Sequence, residues 1–231
     1  MYIDVRKLLN NSLTDNDIII NELSTYPKKL IEQMRYEDFC DDDFKNYFYD
    51  NTNYNVIGVH FTRLFKHEID DIKVNGLHSD ESADYAKKIQ RLPAELDEEK
   101  PKILDFVISN KRSHGKIHFD IGKIELWQGN TIFLKNWGGE TLYCYYDSLD
   151  YSKKDLILAS KLRKLTIPCI VIVKVNAYQF FAHFRDNEGL IDHIHETKLR
   201  EYGNEFCIEQ NEVEVIDVIP IKNLVGFIKK G

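Results

Sequence analysis

A histidine, a threonine and an arginine stand at the end of a short apolar run. His60, Thr62 and Arg63 close the run that begins at Val56. Strand alternation puts Gly58 on the same face as His60 and Thr62, and a ligand can approach the backbone closely at a glycine. A histidine there can hydrogen-bond a ribose hydroxyl, and an arginine just beyond can fork onto a pyrophosphate. The alternative is a structural histidine beside a surface arginine.

Aromatic residues flank a Gly-Gly pair in the middle of the chain. Phe133 and Trp137 precede the pair at 138–139, and Tyr143 follows it. Such rings can stack on a flat heterocycle. Glu140 would lie in the first turn of the next helix, where the helix dipole stabilises a carboxylate. An aromatic core patch with a capping glutamate is the alternative.

A late predicted strand brings carboxylates onto one face. Glu205 enters this strand, and alternation puts it on the same face as Cys207 and Glu209. A carboxylate on a sheet face can stabilise an oxocarbenium-like transition state at a ribose, or orient its 2′-hydroxyl. A solvated glutamate on an edge strand is the alternative.

The elements around these residues predict an α+β fold, because strands and helices do not alternate in regular βαβ units. Asn75 and Gly76 favour a left-handed cap after a helix over 64–74. Apolar spacing predicts a helical N-terminal segment over 1–52, followed by a domain over 53–231. The predicted strands span 55–62, 116–126, 131–134, 168–175, 205–208 and 213–219, and a further helix spans 153–164.

Composition narrows the class of protein. The 231 residues carry a net charge of -7, which argues against nonspecific electrostatic binding of duplex nucleic acid over a broad surface. No apolar run reaches the ~20 residues that span a bilayer, and the first residues lack a signal-peptide pattern. No metal site is predicted, because the cysteines lack metal-site spacing. We expect a cytoplasmic protein whose four cysteines are reduced: Cys40, Cys144, Cys169 and Cys207.

The three regions, taken in order, resemble the ADP-ribosyltransferase superfamily in its His-aromatic-Glu branch. The first strand of that branch carries a histidine followed closely by threonine or serine, then a helix and a Gly-Leu turn. His60, Thr62 and the residues Asn75, Gly76 and Leu77 match this pattern. The pattern is closest to that of the DarT-type toxins.

The middle and last motifs of the branch match less closely. Phe133 stands where many relatives have tyrosine, and the sequence from Trp137 to Glu140 replaces a Ser-rich helix start. The helix that reaches Tyr143 matches loosely. Glu205 in its strand matches the late strand that bears the catalytic glutamate in the family.

The resemblance implies an ADP-ribosyltransferase-like split β-sheet core and an enzyme that cleaves NAD, its substrate, and transfers ADP-ribose to nucleic acid or protein. It implies no metal. The acceptor would be a macromolecule, and the setting a bacterial toxin or antiphage effector, with an antitoxin or another regulatory partner. The alternative is an inactive nucleotide-binding or protein-interaction module on the same fold.

The resemblance also implies roles for individual residues. It makes Glu205 and His60 catalytic, with Glu140 as the alternative carboxylate. It implies a cofactor-binding set of His60, Thr62, Arg63, Phe133, Trp137 and Tyr143.

Overall fold

The computed structural model describes part of the chain. The described residues are 2–3, 17–18, 55–77, 82–109, 116–121, 124–125, 133–135, 137–138, 153–176, 204–209 and 213–222. Within them the protein has an α+β fold, as the sequence predicts. No described helix is long and apolar enough to cross a membrane.

The described strands and helices have the following bounds. The strands are β1 Tyr2–Ile3, β2 Asp17–Ile18, β3 Asn55–Leu64, β4 Lys116–Ile121, β5 Ile124–Glu125, β6 Ile167–Asn176, β7 Asn204–Glu209 and β8 Val213–Pro220. The helices are α1 Lys66–Asn75, α2 Ser82–Gln90, α3 Lys100–Ser109 and α4 Lys153–Leu165, with a 3₁₀ turn at Ala94–Leu96.

One main sheet organises the described strands. Its order is β7-β4-β3-β6-β8, with every neighbouring pair antiparallel, and β2 pairs with β3 in parallel. β3 and β6 pair along their whole length, from Asn55 opposite Asn176 to Leu64 opposite Ile167. Both are rich in β-branched residues and mostly buried, which suits strands in the centre of a sheet.

The first predicted strand and helix are confirmed, whereas the left-handed cap predicted after the helix is not. β3 leads directly into α1, and the side chain of Glu68 accepts a hydrogen bond from the Phe65 N–H at 2.7 Å, which satisfies an amide at the helix start. The helix ends at Asn75, and the N–H of Gly76 donates to the Ile72 carbonyl at 2.9 Å. Gly76 has φ of +82°, a conformation that favours glycine, although its ψ differs from the predicted left-handed cap.

Two sequence predictions of secondary structure are wrong where the structure describes them. Residues 133–135 are helical, whereas a strand was predicted over 131–134. In the segment 1–52, predicted to be helical, the four described residues lie in β1 and β2. Ile18 begins a run of three isoleucines, whose β-branching favours a strand. The remainder of that segment lies outside the described residues.

Gly58 lacks a side chain because an aromatic ring occupies the space above it. A Cβ built on Gly58 would lie 2.3 Å from Cδ2 of Phe119 on β4 and 3.2 Å from the Asp120 carbonyl oxygen. The sequence expectation that a ligand approaches the backbone at Gly58 is therefore wrong. Phe119 is itself buried, so the two residues form a close-packed core contact.

Replacing Gly58 with alanine is expected to lower the free energy of unfolding by about 1–3 kcal/mol, because the added methyl overpacks this contact. Urea unfolding of the variant measures the change. Phe119→Leu should recover part of the loss in the double variant, since it removes the ring that clashes. Equal stability of Gly58→Ala and wild type would contradict the described packing.

Cys169 on β6 fits the expectation of a reduced core cysteine. It is a free thiol with no exposed surface. Burial raises the pKa of the Cys169 thiol to about 12, which the positive charge of Arg63 opposes only in part. The thiol is therefore protonated at neutral pH, and the thiolate is the reactive form.

Alkylation of Cys169 by iodoacetamide at pH 8 is expected to be at least about 100-fold slower in the native protein than in urea, because burial suppresses both thiolate and access. Peptide mapping by mass spectrometry isolates this residue from the other three cysteines. Equal rates in native and unfolded protein would show that Cys169 is not buried as described.

Candidate functional site

His60 is the most accessible residue inside β3. The neighbouring positions on both sides are buried, whereas His60 is half-buried. Its Nδ1 lies 2.6 Å from the backbone carbonyl oxygen of His118 on β4. A carbonyl oxygen only accepts hydrogen bonds, so Nδ1 carries the proton and Nε2 is the acceptor of the neutral ring. The strand pairing thus fixes both the orientation and the tautomer of the histidine.

Thr62 follows on the same face of β3 but belongs to the core. It is 6% exposed and lies opposite Cys169 of β6, which has no exposed surface. His60 lies opposite Val171 on the same strand. The described structure thus leaves His60 accessible and Thr62 enclosed, so the two do not form one open polar pair.

Arg63 is buried on the other face of β3, where it binds the end of α4. It is 6% exposed, and Nη2 donates to the carbonyls of Arg163 and Thr166, both at 2.7 Å. Nε donates to Thr166 Oγ1 at 3.0 Å, and Nη1 donates to the Leu134 carbonyl at 2.9 Å. A cation suits the negative end of a helix, and these bonds satisfy carbonyls that the helix itself leaves unpaired.

The guanidinium of Arg63 is therefore committed to the protein. Burial lowers its pKa, and the nearby charge of Arg163 adds to the effect. The sequence predicts that Arg63 either binds a pyrophosphate or lies on the surface, and the described geometry supports neither role. Because residues 60 and 63 alternate along the strand, Arg63 and His60 also lie on opposite faces.

A short segment after β5, residues 133–135 and 137–138, is held by three side-chain hydrogen bonds; we call it the anchored segment. Arg63 donates to the Leu134 carbonyl as above, and Arg163 Nε donates to the Lys135 carbonyl at 3.0 Å. Trp137 Nε1 donates to Glu68 Oε2 at 2.9 Å. The first two predicted regions, around His60 and around the Gly-Gly pair, are thus in contact.

Trp137 is a core residue of this segment. It is 1% exposed and packs edge-on against Phe65, with ring centroids 5.5 Å apart. The ammonium of Lys88 lies over its ring at 5.2 Å from the centroid, which is a cation–π contact. It shares a hydrophobic cluster with residues that include Leu158 and Leu162 of α4. This matches the aromatic-core alternative for Trp137, not an open stacking wall.

Phe133 differs from Trp137 in its exposure. It is the first described residue of the helical turn in the anchored segment and is half-buried, which leaves part of the residue accessible. Gly138 ends the segment with φ of +93°, a conformation that favours glycine. Glu140 and Tyr143 lie outside the described residues.

The register of β7 determines the sheet face of Glu205. Glu205 lies opposite Asp120 of β4, and Asp120 lies opposite Val59 of β3. Residues directly opposite each other in a sheet share a face. Glu205 therefore shares a face with Val59, and His60 belongs to the other face. The described sheet does not bring together the two residues that the sequence pairs as catalytic.

Three further residues matter that the sequence analysis did not select: Glu68, Arg163 and Thr166. Glu68 could have been found, because an acid at the third position of a helix is a known partner of the helix start. Arg163 and Thr166 lie about 100 positions from Arg63, so no local pattern connects them. Among the described residues, no group of three metal-ligating side chains comes together.

Comparison with known proteins adds no family assignment: no family model, curated protein or solved structure gives a significant match to the chain. The relation to the ADP-ribosyltransferases is therefore a resemblance of motifs.

Proposed function

We propose that the protein is an NAD-dependent ADP-ribosyltransferase that modifies a nucleic acid or a protein. The observation that carries the proposal is His60, a half-buried histidine of fixed tautomer within an otherwise buried strand. The Nε2 acceptor of the neutral ring suits a ribose hydroxyl. The strand, helix and glycine turn around it match the motif that carries the resemblance.

For cleavage of NAD and transfer of ADP-ribose, the protein would need mainly to bind NAD and to stabilise the charge that develops on the ribose. The bond between nicotinamide and ribose C1′ breaks, and its electron pair leaves with nicotinamide. The acceptor then bonds to C1′ and loses its proton. His60 would hold the ribose, and the accessible part of Phe133 would stack on nicotinamide. A carboxylate would stabilise the positive charge that develops on the ribose.

The register of β7 with β4 affects the choice of the catalytic carboxylate. Glu205 and His60 lie on opposite faces of the sheet, which removes the simplest reason for preferring Glu205. Glu140 therefore stands beside it as a candidate. The split-sheet form of the family's core also belongs to the proposal and not to the described topology.

The same register favours a second candidate function. An inactive nucleotide-binding module would use His60 but need no carboxylate on its face. A protein-interaction module would need no NAD site, which agrees with the burial of Arg63 and Trp137, two residues that the resemblance assigns to NAD binding. The active enzyme would fit a bacterial toxin or antiphage effector controlled by an antitoxin or similar partner.

Incubation with NAD labelled in its adenylate part tests the two candidates. The purified protein is mixed with cellular DNA, RNA and protein, and the fraction that takes up label is identified. Label in one fraction supports the transferase and names the class of acceptor. NAD binding without label transfer supports the inactive module, and no binding contradicts both nucleotide functions.

Glutamine substitutions decide which carboxylate acts. Replacing the catalytic glutamate with glutamine is expected to lower the transfer rate by about 100-fold or more. The substitution keeps the size of the side chain but removes the charge that stabilises the transition state. We compare Glu205→Gln and Glu140→Gln, with Glu209→Gln as the control on the same strand. Unchanged rates in both test variants would contradict a carboxylate mechanism at these positions.

A further inference from the structure

Glu68 connects the start of α1 to the anchored segment. Its side chain is 11% exposed, and Oε2 accepts hydrogen bonds from the Phe65 N–H and from Trp137 Nε1. Oε1 lies 3.4 Å from the ammonium of Lys88. Both oxygens therefore have partners from the protein, which fixes the carboxylate and, through it, the position of Trp137.

Arg63 holds the other end of the same segment. Its bond to the Leu134 carbonyl fixes the residue next to Phe133, and Arg163 holds the following carbonyl at Lys135. The guanidinium is in turn fixed by Thr166. Phe133 is thus followed by two carbonyls, those of Leu134 and Lys135, and by Trp137, all three held by side chains.

We propose that Arg63 and Glu68 are positioning residues for Phe133: they hold the turn that carries its accessible ring and so set the affinity for the nicotinamide of NAD. This inference rests on the proposed function. Neither residue is offered as a ligand contact, because Arg63 is buried and both oxygens of Glu68 have protein partners. A ring held in place before binding loses less freedom on stacking, which favours affinity.

Hydrogen exchange followed by mass spectrometry tests the positioning without NAD. In Glu68→Ala, we expect exchange in the peptide that contains 133–138 to rise by about tenfold or more, with β6 unchanged, because a local contact is lost. Glu68→Gln should change less, since it keeps an acceptor. Asp70→Asn, which removes an exposed charge from the same helix, is the control. An unchanged peptide, or an equal rise in β6, would overturn the proposal.

A double-mutant cycle tests the connection to NAD. Glu68→Ala should raise the Kd for NAD by about tenfold in the wild-type background and add nothing in the Phe133→Ala background, because coupled residues are not additive. An equal increase in both backgrounds would overturn the role of Phe133. If the wild type binds no NAD, the proposed function and the NAD part of this inference both fail, and the exchange result alone decides whether Glu68 positions the segment.

Discussion

Replacing Arg63 with alanine is expected to lower the free energy of unfolding by about 3–5 kcal/mol. The guanidinium donates to three backbone carbonyls, those of Leu134, Arg163 and Thr166. Each buried carbonyl left without a donor costs about 1–3 kcal/mol. The variant also removes a cation from the negative end of α4. Urea unfolding followed by circular dichroism measures the loss.

Two further variants separate the geometry of Arg63 from its charge. Arg63→Lys keeps the cation but loses the planar fork, so it should recover less than half of the lost stability. Arg91→Ala removes an exposed arginine and serves as the control, with a change within about 0.5 kcal/mol. If Arg63→Ala were no more destabilising than Arg91→Ala, Arg63 would not be the buried connector between β3 and α4.

Replacing Trp137 with alanine is expected to have an effect of similar size, about 3–5 kcal/mol, because a buried aromatic leaves a large cavity. Trp137→Phe keeps most of the packing against Phe65 but removes the N–H that binds Glu68. That variant should cost about 1.5–3 kcal/mol, the value of one hydrogen bond to a charged group.

Urea unfolding followed by circular dichroism measures the losses in the two Trp137 variants. The emission of Trp137 itself is recorded in Trp127→Phe, which keeps Trp137 as its single tryptophan. An emission maximum typical of a solvated indole in Trp127→Phe would contradict the burial of Trp137. A loss of less than about 1 kcal/mol in Trp137→Ala, close to the effect of a surface substitution, would contradict it as well.

Local signals explain what the sequence predicted well. The strand at Asn55–Leu64, the helix after it and the glycine at 76 each rest on neighbouring residues: β-branched alternation, apolar helical spacing and a residue that tolerates positive φ. The strand predicted over 131–134 is wrong at 133–134, the part that the structure describes, because a three-residue apolar run fits a strand or a helical turn equally well.

Long-range pairing explains what the sequence could not show. Alternation within β3 separates Arg63 from His60, but the partners of Arg63 are distant in sequence: Leu134 is 71 positions away, and Arg163 and Thr166, at the end of α4, are about 100 positions away. The face of Glu205 depends on its register with β4, and a shift by one residue would reverse it. Trp137 likewise has distant partners: its hydrogen-bond acceptor Glu68 lies 69 positions earlier, and it packs with Leu158 and Leu162 of α4.

Release of nicotinamide from NAD by the purified protein tests whether the protein cleaves NAD at a site that contains His60, because release reports cleavage whether or not the natural acceptor is present. We expect release by the wild type and by His67→Ala, which removes an exposed histidine just beyond β3. His60→Ala should be slower by about 100-fold, because the ribose loses the side chain that positions it, with its circular dichroism unchanged. Release by His60→Ala at the wild-type rate would contradict the role of His60. A wild type that neither releases nicotinamide nor binds NAD would contradict the proposed NAD site.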